Sequence, residues 1–207
     1  AAGPIFQEHD VSGQYSYPLC RTEIPNMGGF PAAAAEQEMS QWCWAASVSN
    51  VFAYHGHPLA QEKIVTEVYG GLVNLPSFTA RRIAQQLNRN WTDDDGVEFK
   101  ARLTSAYDSA AGVYLTNNEI LKNEIRAGRP VVIGTTHCMV VTAIDSAVDG
   151  RVVGAGLYDP WPGQGFRMAR PEEIVAVELG GKMTFLATVR VEAVGQRSET
   201  QVRAGVR

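Results

Sequence analysis

The sequence predicts an α+β protein in which an N-terminal helical lobe faces a C-terminal antiparallel β lobe, with a cleft between them. Two observations carry this. Apolar residues recur at helical spacing from Gln41 to Gly128, and from Pro130 onward the period shortens to that of strands. Glycine and proline mark the joints, at Gly56 with Pro58 and again at Gly128 with Pro130.

Taken in order, residues 1–36 are rich in Pro and Gly and carry the run Ala32-Ala-Ala-Ala35. They read as an extended arm that leans on the body rather than a core element, or as the remnant of a pro-segment. The chain opens Ala1-Ala-Gly-Pro4 without an initiator Met, as a processed or trimmed chain does. Residues 37–194 form the main body. Its first helix starts near Gln41, with Ala45, Val48 and Phe52 on one stripe and Trp44 and Val51 beside it. A second helix fits Ala60–Tyr69 and a third Thr79–Asn88. Asp93-Asp-Asp-Gly96 is a turn before a weak strand at Val97–Leu103. The fourth helix opens on Thr116-Asn-Asn-Glu119, a capping-box pattern, and pairs Leu121 with Ile125. Strands follow at Val131–Gly134, His137–Asp145, Arg151–Asp159 and Met183–Ala193, with Asp149-Gly150 as a hairpin turn. Pro171-Glu-Glu-Ile174 opens a short helix or bend, and residues 195–207 are a polar, frayed tail.

At 207 residues, 45% apolar and 19% charged, the chain can build a full core in one domain or in two small lobes. A net charge of −4 gives no pull toward nucleic acid or acidic lipid. No apolar run approaches the roughly 20 residues of a membrane span, so a water-soluble chain is expected. Three cysteines leave at least one unpaired, which argues against a disulfide scaffold. Whether Cys20 and Cys138 form a bridge stays open at this point. His55-Gly-His57 lacks the Cys or acidic partners of a metal site, and no metal or other cofactor is expected. Asp93-Asp-Asp-Gly96 lacks the closing Glu of a calcium loop.

The chemistry centres on Cys43. A thiolate is the nucleophilic form of cysteine, and a helix N-terminus offers it free N–H groups and a positive dipole end. A lone Cys in an apolar helix is usually packing, but the flanks differ here. Gln37 lies six residues upstream, near enough for its amide to join the Cys43 N–H in holding an oxyanion. A base is then required. His137 follows one short strand and begins another; alternation places Cys138 on the opposite face from it, so Cys138 receives no role. Asp159, 22 residues on at the end of the next strand, is placed to hold the imidazole, with Trp161 close behind. Asp145 ends the His137 strand itself, roughly 26 Å along extended chain, and is too far to serve. Trp42 and Trp161 are the aromatics assigned to the cleft.

The segment Gln37-x5-Cys43-Trp44-Ala45-x-Ser47 resembles the active-site helix of papain-like cysteine proteases. The longer string adds Tyr54-x-Gly56, Gln61-x-x-Ile64-Val65, Tyr69-Gly70-Gly71 and Val73-Asn74-Leu75-Pro76. With these it is similar to the compact bacterial branch (C70/C39-like) that includes the AvrRpt2-type effector proteases. The resemblance covers about the first third of the chain. It implies a papain-like fold and a Cys43–His137–Asp159 triad with Gln37 at the oxyanion. It also implies hydrolysis of peptide bonds through a thioester, a protein or peptide substrate, and a secreted or injected bacterial effector or toxin. A dedicated inhibitor or immunity protein would fit such an enzyme. The Cys43–His137 spacing is 94 residues, well short of the roughly 130–150 of papain, so trimmed substrate loops are expected. A deamidase or acyltransferase on the same residues, or a binding module with a vestigial triad, are the alternatives.

Overall fold

In the computed structural model, which describes residues 7–10, 19–25, 30, 34–113 and 118–194, strands and helices alternate more than the sequence suggests. The strands are β1 (Gln7–Asp10), β2 (Leu19–Glu23), β3 (Asn90–Thr92), β4 (Glu98–Asp108), β5 (Val131–Gly134), β6 (Cys138–Ala147), β7 (Val152–Asp159), β8 (Gly165–Met168) and β9 (Phe185–Ala193). The helices are α1 (Cys43–Tyr54), α2 (Gln61–Tyr69), α3 (Ala80–Gln86) and α4 (Asn118–Arg126). Two 3₁₀ turns follow β8, at Pro171–Ile174 and Val177–Leu179.

All strand pairings are antiparallel and join into one sheet. Its centre is β6, buried along almost its whole length, which is why Met139-Val-Val-Thr-Ala-Ile144 reads as a continuous rather than an alternating strand. One edge of β6 bonds β5 through its first half and β2 through its second, and the other edge bonds β7. From β5 the sheet continues through β9 and β4 to β3, and from β7 to β8.

Helix α1 packs on β6 and β5. Every residue from Trp44 to Phe52 is buried, so this mostly apolar helix is enclosed on all sides and belongs inside the protein. Its core neighbours include Phe99, Val140 and Ile133. Helix α3 begins at the Thr79 cap, whose hydroxyl accepts the Arg82 N–H.

Several expectations change. The 1–36 segment contributes β1 and β2 to the sheet, and Leu19, Ile24 and Phe30 are core residues rather than part of a leaning arm. The weak strand at 97–103 is an 11-residue strand, β4, paired along most of its length with β9. Its half-exposed pattern hid it, because long-range pairing rather than local alternation defines it. Strands β3 and β8 were not anticipated. The Cys20–Cys138 bridge is excluded: neither cysteine is in a disulfide, and Cys20 sits opposite Ser146, eight residues along β6 from Cys138, or roughly 26 Å. Thr116 of the capping-box pattern and the 195–207 tail lie outside the described residues.

Two buried amides fix the chain where it enters the cleft. The Asn50 side chain accepts the Ala35 N–H at 2.8 Å and donates to the Ala35 carbonyl at 3.0 Å. Gln61 donates to the Glu36 carbonyl at 2.8 Å and accepts the Glu38 N–H at 3.2 Å. Each amide acts as a short piece of strand for residues 35–38. Asn50→Ala and Gln61→Ala are each expected to lower stability by about 1–2 kcal/mol in urea unfolding, with exposed Thr66→Ala on the same helix as Gln61 as a near-neutral reference.

Candidate active site

Helix α1 begins at Cys43 itself, not near Gln41. The first intrahelical bond runs from the Ala46 N–H to the Trp42 carbonyl at 2.8 Å, and Trp42 offers no side-chain cap. Helical geometry therefore leaves the N–H groups of Cys43, Trp44 and Ala45 without intrahelical acceptors. They turn partial positive charge toward Cys43, which suits the place where an oxyanion would form.

The approach to this helix is braced from the loop after α2. Asn74 accepts the Gln41 N–H and donates to the Ser40 hydroxyl, both at 2.9 Å. The Trp42 indole donates to the Val73 carbonyl at 2.8 Å, and the Trp44 indole to the Leu75 carbonyl at 3.2 Å. These bonds account for the Val73-Asn-Leu-Pro76 segment singled out in the sequence. Trp42 is 3% exposed in the core and lines neither cavity beside Cys43, so its expected place in the cleft is not where the structure puts it.

Gln37 is also placed differently. Its amide nitrogen donates to the carbonyls of Met39 and Ser40 at 3.0 and 2.9 Å, which uses both hydrogens. Its Oε1 is buried without a partner among the described residues, and Gln37 lines neither cavity at Cys43. In this geometry Gln37 stiffens the turn that leads to Cys43 and does not aim a donor at it.

His137 is the last residue of the three-residue loop between β5 and β6, not the first residue of the strand. Thr135 ties the loop together: its N–H donates to the His137 carbonyl at 2.9 Å, and its hydroxyl accepts the His137 N–H at 3.2 Å. Because His137 lies outside β6, strand alternation does not govern it. Both His137 and Cys138 face the start of α1. Cys138 lies beside Ser47, and complete burial pushes its thiol far up, so it stays protonated and unreactive.

The His137 Nε2 bonds Asp159 Oδ1 at 2.6 Å, which leaves Nδ1 for the Cys43 sulfur. Burial pulls the imidazole pKa down. The hydrogen bonds and charges of Asp159 and Cys43 outweigh it and raise the value to about 9. Burial pushes the Asp159 carboxyl up, but bonds from His137 and the Trp161 N–H, the latter at 3.0 Å, hold it below the ordinary range. The Trp161 ring stands edge-on to His137 at 6.2 Å and is 48% exposed, so it screens the pair from the solvent side.

Sequence reading missed Arg167. Its Nε donates to Asp159 Oδ2 at 3.0 Å, and its two Nη atoms grip Glu173 in a bidentate pair, each at 2.9 Å. The signal was available in principle. A hairpin after Asp159 pairs Leu157 with Arg167 and Asp159 with Gly165, which places Arg167 diagonally beside Asp159 on one face.

Two cavities meet at Cys43 and His137. The first, about 520 Å³, is walled by Trp44, Phe78, Ile83 and Phe185. The second, about 580 Å³, is lined by Trp161, Arg167, Arg170, Glu172, Glu173 and Lys182. The remaining candidates serve the fold. His57 bonds Asp93 at 2.9 Å and stacks on Phe99, while Asp93 accepts the Asp95 and Val97 N–H groups to shape the Asp93–Gly96 turn. Asp145 is held by Arg21 at 2.7 and 2.9 Å. Among the described residues no cluster of His, Cys, Asp and Glu has the form of a metal site.

Comparison with known proteins gives one family match, to the Peptidase_C39 like family over residues 29–173, well over half of the chain. No curated protein matches significantly. Among solved structures, that of UfSP from C. elegans aligns with 94% of this chain at 15% identity and a TM-score of 0.46. The chain spans only 36% of that structure's length. No helix among the described residues is long and apolar enough to cross a membrane. The matched span contains Cys43, His137 and Asp159 together with the helix and strands that carry them, and on it the chain belongs to the Peptidase_C39 like family.

Proposed function

We propose that Cys43, His137 and Asp159 form the catalytic triad and that the protein hydrolyses peptide bonds through a thioester. The observation that carries this reading is the chain of contacts from an uncapped helix start through His137 to Asp159. The Cys43 thiolate attacks the scissile carbonyl, and the oxygen takes up negative charge beside the free N–H groups of the first turn. His137, protonated, gives its proton to the leaving amine; the neutral ring then takes one from water, whose attack releases the acid and restores the thiol. Asp159 keeps the ring oriented throughout. Gln37 acts through the turn it stiffens.

The two cavities define what a peptide meets on either side of the scissile bond. One is walled by apolar rings and Ile83 and fits a large apolar side chain; the other, with the cations Arg167, Arg170 and Lys182 and the carboxylates Asp159, Glu172 and Glu173, fits a polar stretch. The likeness of residues 37–76 to AvrRpt2-type proteases supports a bacterial protein that is exported or injected, acts as an effector or toxin, and is restrained in its producer by an inhibitor. Residues 37–194 are assigned as the catalytic domain.

Comparing proteome cleavage by the active protein and Cys43→Ala is expected to give new termini only with the former, flanked on one side by large apolar residues. Identical profiles would defeat the proteolytic reading. In the same experiment a Gln-to-Glu change without cleavage would point to deamidation, and an added acyl group to transfer. Iodoacetamide should label Cys43 faster than Cys138.

The pH dependence follows from His137. Its imidazolium is present at neutral pH and is lost as pH rises through about 9, so hydrolysis should fall across that range. Asp159→Asn removes the anion that favours the charged ring and should move this fall to lower pH. His137→Ala should cost roughly a hundredfold or more in kcat at neutral pH.

A further inference from the structure

Resting on the triad reading above, we infer that Arg167 and Glu173 are positioning residues that set the charge and orientation of Asp159, and through it of His137. Asp159 has two carboxylate oxygens, and each is occupied. Oδ1 takes His137 and the Trp161 N–H, and Oδ2 takes Arg167. A carboxylate held at both oxygens cannot rotate, so the imidazole it supports has one allowed plane.

Arg167 is in turn fixed at every donor nitrogen. Nη1 and Nη2 grip Glu173, Nη1 also reaches the Met168 carbonyl at 3.2 Å, and Nη2 lies 3.0 Å from the Met139 sulfur. Glu173 is anchored by the Arg170 N–H at 2.7 Å, at the start of the 3₁₀ turn Pro171–Ile174. Side-chain exposures of 6% for Asp159, 22% for Arg167 and 10% for Glu173 place the array mostly away from water. Charge therefore alternates along it: Glu173 negative, Arg167 positive, Asp159 negative, His137 positive.

This order has a consequence that packing alone would not. Arg167 offsets part of the Asp159 charge felt by His137, and Glu173 offsets part of Arg167. Removing the cation should strengthen the hold on the imidazolium, and removing the outer anion should weaken it. The other charged groups around the site are Arg170, Glu172 and Lys182 in the same cavity, Arg81 and Asp108 in the apolar cavity on the other side of His137, and Glu36, which accepts the Gly163 N–H. None of these bonds His137 or Asp159 among the described residues, so the array is the direct link.

The test uses the full chain with labelled histidine. Only four His are present, and His137→Gln identifies the resonance of interest. The His137 midpoint is read by NMR titration of the ring Cε1–H. Arg167→Met should raise it and Glu173→Gln lower it, each by on the order of half a pH unit, while Arg167→Lys stays near wild type. Arg167→Met and Arg167→Lys should both slow Cys43 alkylation at pH 7, because neither can grip Asp159 and Glu173 together. Should Arg167→Met not fold, Glu173→Gln reads the same charge array from its other end. A wild-type midpoint near 9 with superimposable variants would overturn this proposal and leave the triad standing. A wild-type midpoint near 6.5 would overturn the triad reading itself.

Discussion

The burial of one helix on one strand organises this protein. Helix α1 is mostly apolar and buried on every side from Trp44 to Phe52, and β6 is buried on both faces, so each must be covered. Packed together, these two elements place the uncapped helix start against the loop that enters β6. Cys43 and His137 face each other because one is the first residue of its helix and the other the last residue before its strand. Neither could move without repacking Val48, Val51, Val140 and Ile133, all fully buried. The Cys43–His137 pair thus draws its geometry from the core, while the loops of the cleft are free to vary.

What could be read in the sequence follows from range. Helix α1 and strands β5, β6, β7 and β9 depend on local pattern, and their apolar runs announce them. Cys43, His137 and Asp159 could be named because each sits at an element end that the pattern marks. β4 could not be measured by its own residues: its length comes from pairing with β9, some 80 positions away in the chain. The same applies to β2, whose Leu19 and Thr22, with Ile24 just beyond its end, become core only because β6 leaves an open edge beside them. Residues rich in Pro and Gly around that strand read as an arm, and local composition cannot show a partner strand more than a hundred residues later.

The site residues divide in the same way. Trp42 and Gln37 carry the right chemistry at the right spacing, yet spacing says nothing of where a side chain turns. Trp42 turns into the core and spends its N–H on Val73. Gln37 turns toward Met39 and Ser40, because the bend that delivers the chain to Cys43 exposes two carbonyls that need donors. Arg167 was missed for the opposite reason. It lies in a four-residue strand too short to leave a pattern, and its meaning appears only when the hairpin sets it beside Asp159.

A charged orienting residue brings a requirement that an amide in the same place would not. Asp159 is 5% exposed, and a lone carboxylate at that depth would be driven toward its neutral form. One positive ring is a poor guarantee of its charge, since in the proposed mechanism His137 gives up its proton during each turnover. Arg167 supplies a cation that never titrates in the working range, so Asp159 stays ionised when His137 is neutral. An unpaired guanidinium would then be buried in its turn, and Glu173 meets it with two parallel bonds from the next turn of chain. Each charge in the row is there because the one before it could not be left alone, and the row ends at Glu173, where the Arg170 N–H and the open polar cavity satisfy the last carboxylate.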